Sequence, residues 1–237
     1  MSSSRVVGLM VVRNEAHRYL PKCLSWMRPL VDELFIVDDL STDKTKDICS
    51  VFTNHVVDRP PEISSFMVNE GKFRSNAFEM ARSALSLTDE DWVLSFDADE
   101  LLFPVQSDNP YDAIRTAIRD AGEHLSVTIP FKEIFSVVDS EMFYRVDGYW
   151  DTIEHPRLFR VQDDATWRDS AMGCGSEPLY AKEGSVRSAD LVMVHLGYAK
   201  ESDRRSKYNR YLNLPGHNPD HIASIVKKPV LKSLSDI

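Results

Sequence analysis

Three short apolar runs in the first hundred residues each break off into a polar cluster, and no other feature restricts the fold as much. Val6-Val7-Gly8-Leu9-Met10-Val11-Val12 runs into Arg13-Asn14-Glu15, Glu33-Leu34-Phe35-Ile36-Val37 into Asp38-Asp39, and Trp92-Val93-Leu94-Ser95-Phe96 into Asp97-Ala98-Asp99-Glu100. Continuous apolar runs of this length read as strands buried on both faces. Between them the spacing predicts helices. One covers about residues 16–30, with Leu20, Leu24, Met27 and Trp26 facing inward and Pro21 near its start, where proline is tolerated. A second starts from an N-cap in Ser41-Thr42-Asp43 and reaches about Val51. A third covers residues 72–87, with an apolar stripe of Phe73, Ala77, Met80, Ala81, Ala84 and Leu85. A short strand is expected over 54–57. Strands alternating with helices give an α/β fold with a mostly parallel sheet flanked by helices. Ligands of such sheets bind beyond the carboxyl ends of the strands, where all three polar clusters fall.

The Asp97-Ala98-Asp99-Glu100 cluster carries the strongest chemical signal. Carboxylates this close raise one another's pKa unless a cation neutralises them. Hard oxygen ligands suit Mg²⁺ or Mn²⁺, which commonly bridge to phosphate oxygens. The expectation is an enzyme that holds a metal–diphosphate. A solvated turn is the plain alternative for an isolated Asp-x-Asp, and the two other clusters on the same rim weigh against it.

The 237 residues are read as one domain: a nucleotide half over about 5–103, a less regular acceptor half over about 104–214 and a tail over 215–237 that docks loosely. In the second half, Ser126 to Phe135, Arg157 to Val161 and Asp190 to Leu196 read as strands, and Ser202 to Leu212 as a helix carrying Arg204, Arg205, Lys207 and Arg210. The net charge of −9 argues against a protein that coats nucleic acid. Cys23, Cys49 and Cys174 form no CxxC pair, so neither a zinc site nor a disulfide framework is indicated. Reduced thiols, no leader-like N-terminus and no apolar run of membrane-spanning length together give a cytoplasmic expectation without stable membrane insertion.

Val11-Val12-Arg13-Asn14-Glu15-Ala16, Val37-Asp38-Asp39-Leu40-Ser41-Thr42-Asp43-Lys44-Thr45, Gly71-Lys72-Phe73-Arg74-Ser75-Asn76 and Phe96-Asp97-Ala98-Asp99-Glu100 together resemble family 2 glycosyltransferases of the GT-A fold. The similarity covers roughly residues 5–103 and is greatest to the RNEA/DADE branch, which includes lipopolysaccharide-core sugar transferases and bacterial and phage relatives. His155-Pro156-Arg157-Leu158-Phe159-Arg160 and His195-Leu196-Gly197-Tyr198 extend it more weakly. The resemblance implies transfer of a sugar from a nucleotide-sugar donor, a UDP-sugar by family frequency, with inversion at the anomeric carbon. It implies that Val11, Arg13 and Glu15 frame base and ribose. Asp39 contacts the nucleoside, with Asp38 beside it, and Lys72 or Arg74 lies near the diphosphate. Asp99 ligates the metal. Asp97 contacts ribose or sugar, or reaches the metal through water. His195 is a further candidate metal ligand, since a neutral imidazole at a strand end suits Mn²⁺.

Departure of a nucleoside diphosphate develops negative charge that a divalent cation and basic side chains stabilise. Arg204, Arg205 and Lys207 are candidates to add charge from a closing lid, against the plain reading of a solvated helix face. Inversion needs a general base for the acceptor hydroxyl. Glu177 in Gly173-Cys174-Gly175-Ser176-Glu177-Pro178 is the first candidate; Asp151 and Glu154, beside the aromatic pair Tyr149-Trp150, are the competitors. The acceptor stays open among a saccharide, a lipid-linked glycan, a protein side chain and a modified nucleobase, and so does the oligomeric state. A nucleotidyltransferase of related fold would carry a glycine-rich loop after the first strand, where this chain has Arg-Asn-Glu-Ala. A non-catalytic nucleotide-sugar-binding scaffold would show a decayed acid cluster, and Asp97 and Asp99 are both intact.

Overall fold

The computed structural model describes residues 4–170, 175–213 and 218–237. Cys174, Gly173, His217 and the first residues of the tail lie outside the described residues. Strands β1 (Val6–Val12), β2 (Glu33–Asp38), β3 (His55–Asp58) and β4 (Trp92–Ser95) form a parallel set in the order β4-β1-β2-β3. Helices α1 (Leu20–Met27), α2 (Thr45–Phe52) and α3 (Glu70–Leu85) connect them. This is the α/β architecture that the alternation of apolar runs predicts.

Strand alternation divides the core between the two faces of the sheet. Val6, Met10 and Val12 of β1 pack with Leu20, Cys23, Leu24 and Met27 of α1, while Val7 and Leu9 pack with Phe73, Ala77, Phe78 and Ala81 of α3. Phe78 and Phe73 are fully buried, a contribution of roughly 1.5–3 kcal/mol each. Two boundaries differ from expectation. Helix α1 starts four residues later, with Pro21 in its first turn, because the backbone before it is bonded to the loop after β2. Trp26 is not an inward residue: it is 39% exposed, donates Nε1 to the Leu102 carbonyl and packs on Phe103.

The acceptor half joins the same sheet. After β5 (Glu100–Pro104) and α4 (Pro110–Ala121) comes β6 (Ser126–Val138), followed by β7 (Glu141–Arg145) and β8 (Glu154–Arg160). Strand β8 lies antiparallel between β4 and β6 and so joins the two halves. The short β9 (Val186–Arg187) pairs with β6, and β10 (Leu191–His195) lies between β6 and β5. Helices α5 (Glu201–Leu212) and α6 (Pro219–Ile225) and strand β11 (Leu231–Ser233) complete the chain.

The tail is not loosely docked. Strand β11 pairs antiparallel with β7, and Ile225 is buried with Phe135, Trp150 and Tyr198 in an aromatic cluster. Trp150 is therefore core, although its neighbour Tyr149 is exposed. Trp167 also packs internally, against Phe78 and Phe159.

Arg145 anchors the tail. Its buried guanidinium grips Asp147 at 2.7 and 2.6 Å, and Asp147 Oδ1 accepts the Val230 N–H at 3.0 Å. The Arg145 hydrogen bonds hold the Asp147 carboxyl down at about 2 against its usual 3.8. A carboxyl depressed on folding stabilises the fold above its unfolded pKa and loses that contribution as pH falls through its folded one. Asp147→Asn is expected to lower thermal stability at neutral pH and to flatten the loss of stability between about pH 4 and pH 2. Parallel melting curves for the two proteins across that range check it.

Candidate active site

The loop after β1 is shaped by hydrogen bonds to the loop after β2. Asn14 adopts a left-handed φ of 53°, which asparagine tolerates. Its Oδ1 accepts the Thr42 N–H at 2.8 Å, and its own N–H donates to Ser41 Oγ at 2.9 Å. The Glu15 N–H donates to Thr45 Oγ1 at 2.7 Å and the Ala16 N–H to Asp43 Oδ2 at 3.2 Å. These bonds fix two strand ends together, with Arg13 and Glu15 set on the rim of a cleft of about 750 Å³.

At one end of the cleft, Asp39 is 1% exposed and already engaged. Arg59 Nε donates to Oδ1 at 2.5 Å, and Arg13 Nη1 and the Phe66 N–H donate to Oδ2 at 3.2 and 3.1 Å. Asp38 is turned to Ser41, accepting its N–H at 3.1 Å and its hydroxyl at 2.5 Å, and does not line the cleft.

In the middle, Asp97 faces two arginines. Arg74 Nη2 is 3.1 Å from Oδ1 and Arg157 Nη2 is 3.7 Å from Oδ2. Arg74 is braced by Glu70 at 2.9 Å and Arg157 by Glu100 at 2.5 Å. Burial alone would raise the Asp97 carboxyl, but Arg74 and Arg157 outweigh it and hold the group ionised. Both Asp97 oxygens therefore face guanidinium groups.

Asp99 turns the other way. Its Oδ2 lies 3.4 Å from His195 Nε2 and 3.8 Å from Arg18. Sheet register explains the meeting: His195 stands opposite Glu100 on β5 and beside Glu133 on β6. His195 Nδ1–H donates to Glu133 Oε2 at 2.5 Å. Burial would raise the Asp99 carboxyl, yet His195, Lys207 and Arg18 hold it well below the usual range. Burial opposes charge on His195, but Glu133 and Asp99 draw its pKa up to about 10. Glu15, nearby, is pushed up to about 7 by burial, with Arg18 opposing and Asp99 adding.

One wall of the cleft is α5, which buries no residue of its own. Ser202, Asp203, Ser206, Lys207, Arg210 and Tyr211 line the cleft from it. Arg204 does not: it pins the helix by donating to the carbonyls of Phe135, Tyr198 and Ala199 at 2.8, 2.6 and 3.2 Å.

Of the residues expected from sequence, Val11, Arg13, Glu15, Asp39, Arg74, Asp97, Asp99, His195 and Lys207 meet in the cleft. Lys72 is exposed on α3 outside the lining, and Asp151 pairs with Lys132 at 3.0 Å, also outside it. Glu177 is 2% exposed and lies off the lining, with Lys182 3.0 Å from Oε1 and, among the described residues, no hydrogen-bond partner on Oε2. Sequence reasoning missed Arg18, Glu70 and Glu133 altogether, and it named Arg210 only as part of the basic run on α5. Arg157 was in view within the His-Pro-Arg-Leu-Phe-Arg segment but had no role assigned.

Among the described residues, no three His, Cys, Asp or Glu side chains close on one point as a metal-binding group. The chain supplies a pair, Asp99 and His195. A divalent ion that retains water and takes phosphate oxygens needs only one or two carboxylates or equivalent ligands from protein. The Glu133 carboxylate on the far ring nitrogen is the outer partner that orients a metal-binding histidine. Glycine at 197 leaves room beside the pair that the Lys207 ammonium takes up: a Cβ there would overlap Lys207 Nζ and His195 Nε2 and stand 2.7 Å from Asp99 Oδ2. The donor set therefore fits Mg²⁺ or Mn²⁺, and such an ion must displace the proton on Nε2.

Residues 9–107 match the model for Glycosyl transferase family 2. A TPR repeat-containing protein of Synechococcus elongatus is 26% identical over 171 residues, covering 68% of this chain and 38% of that protein. The chain thus spans well under half the length of this curated relative. The crystal structure of S. aureus TarS 1–349 aligns over 94% of this chain and 69% of its own, with 17% identity and a TM-score of 0.49. Glucosyl-3-phosphoglycerate synthase from Mycobacterium tuberculosis, in complex with Mg²⁺ and UDP, aligns over 56% of this chain and 44% of its own, with 22% identity and a TM-score of 0.36. Among the described residues, no helix is long and apolar enough to cross a membrane. The matched stretch runs from β1 through β5 and holds Arg13, Glu15, Asp39, Asp97 and Asp99, so the strand-end rim of this cleft falls within the part of the chain that is similar to family 2 glycosyltransferases.

Proposed function

We propose that this chain is a metal-dependent inverting glycosyltransferase that moves a sugar from a UDP-sugar to a hydroxyl acceptor. The observation that carries the reading is the Asp99–His195–Glu133 arrangement, in which Asp99, just beyond β4 and within the stretch that matches the family model, meets His195 of β10 and, through it, Glu133 of β6. Asp99 and His195 would hold Mg²⁺ or Mn²⁺, which supplies Lewis-acid stabilisation of the leaving diphosphate.

The chain's own residues then divide the remaining work. Asp39 binds the Arg13 guanidinium and the Phe66 backbone, and so shapes the nucleoside end of the cleft. Arg74 and Arg157 hold Asp97 ionised and oriented toward the ribose or sugar. Lys207 and Arg210 bring positive charge from α5 to the diphosphate side. For the base we propose Glu177, whose Oε2 has no partner among the described residues and can accept a proton while Lys182 holds the other oxygen. Its place behind the cleft lining requires the loop that carries it to adjust when acceptor binds. Asp151, committed to Lys132 at the surface, has no part in this proposal.

Calorimetric titration with UDP, GDP, CDP and dTDP, with and without Mn²⁺, tests the donor site. Metal-dependent binding of UDP is the expected result, and no nucleotide binding under either condition would sink the reading. Glu177→Gln is expected to keep that binding and to lose transfer by about 10²–10⁴-fold. Normal transfer by this variant removes Glu177 as the base.

A further inference from the structure

We infer that Gly197 is the residue that keeps the cation's seat open, and that it is glycine for this steric reason alone. The inference rests on the metal-dependent reading above and adds a determinant to it. Glycine is commonly required where φ is positive. Gly197 is not among the positive-φ glycines, so its backbone conformation suits any residue. The constraint lies in front of its Cα. A Cβ built there would overlap Lys207 Nζ and His195 Nε2 and would stand 2.7 Å from Asp99 Oδ2. One point in space is therefore shared by both candidate metal ligands and by a lysine.

The three neighbours differ in how far they can give way. Lys207 ends a flexible side chain whose ammonium lies 3.2 Å from His195 Nε2 and 4.2 Å from the centre of the Tyr198 ring. His195 is held by Glu133 at 2.5 Å and Asp99 by its place between His195 and Arg18. A methyl group at 197 can push the lysine aside, but it then sits against the oxygen and nitrogen that would take the cation. Alanine at 197 should therefore fold, because its φ is not positive and the three atoms nearest the methyl are all side-chain ends, yet it should bind metal poorly.

The test is a Mn²⁺ titration of the full chain in the presence of UDP, followed by loss of the free-ion electron paramagnetic resonance signal. Gly197→Ala is expected to bind Mn²⁺ at least tenfold more weakly than wild type, with UDP affinity in the absence of metal unchanged. In the double variant Gly197→Ala, Lys207→Ala the nearest obstacle is gone and only the two candidate ligands face the methyl. The manganese defect should persist there. Wild-type manganese affinity in Gly197→Ala overturns the inference. So does recovery in the double variant, since the methyl would then act only by displacing Lys207. If wild type itself binds no Mn²⁺ beside UDP, the metal reading falls and Gly197's role falls with it, a result distinct from equal binding by both proteins.

Discussion

Asp99→Asn is expected to reduce release of UDP from the UDP-sugar donor, with or without acceptor, by about a thousandfold at saturating Mn²⁺. The substitution keeps shape and removes one charge. That charge is held ionised among His195, Lys207 and Arg18, so its loss leaves three basic groups facing one another where a divalent ion should sit. Lewis-acid stabilisation of a leaving phosphate is worth several kcal/mol, and each 1.36 kcal/mol is about tenfold in rate. UDP affinity measured with Mn²⁺ should fall to the value measured without it. Stability should fall as well, because the amide of equal size leaves those basic groups without their counter-charge, so the comparison is made below the variant's melting temperature. An Asp99→Asn protein that still binds UDP more tightly when Mn²⁺ is added would remove Asp99 as a metal ligand.

The largest effect on stability is expected at Arg157. Its guanidinium is buried, bonds Glu100 at 2.5 Å, stands 3.7 Å from Asp97 and lies over the Phe131 ring. Glu100 is itself 1% exposed. Arg157→Met would keep much of the packing but leave that carboxylate without its cation. Breaking a buried pair from one side costs about 3–5 kcal/mol. For a chain of this size the melting temperature should fall by roughly 10 °C. Replacing both partners is a different matter, since a buried ion pair exchanged for apolar groups is often neutral. Arg157→Met with Glu100→Met should therefore recover most of the loss. Thermal unfolding of the two variants decides it, and a single variant that melts with wild type would show that the pair carries no net stability.

The parallel half was legible because its strands are continuous apolar runs and its acids stand at their ends. Val6–Val12 and Glu33–Asp38 emerged where the pattern put them, and Arg13, Asp39 and Asp99 fall on one rim because parallel strands end on one side. Boundaries failed where side chains compete for the backbone. The first turn expected of α1 is instead bonded to Asp43 and Thr45. Helix α4 went unread although Asn109-Pro110 is a start signal, with Asn109 Oδ1 accepting the Tyr111 N–H at 3.0 Å. In the acceptor half, placement depends on antiparallel pairings between distant segments. Glu133 reaches His195 through β6 beside β10, a relation that no local spacing encodes. Glu177 was chosen from its glycine-containing loop and Asp151 from its place beside Tyr149-Trp150, and neither neighbourhood in sequence says on which side of the sheet wall the side chain ends.

The pairing of β10 with β5 also sets an order of events during synthesis. Asp99 belongs to the first half of the chain and His195 to the last quarter, and the strand that presents His195 inserts between β5 and β6. The βα units of the first half make mostly local contacts and can condense early, whereas this insertion awaits segments far apart in sequence. A ribosome-bound chain would thus hold a nucleoside end of the cleft well before it holds two ligands for a cation. A truncated product ending before β10 would have a rim and no centre.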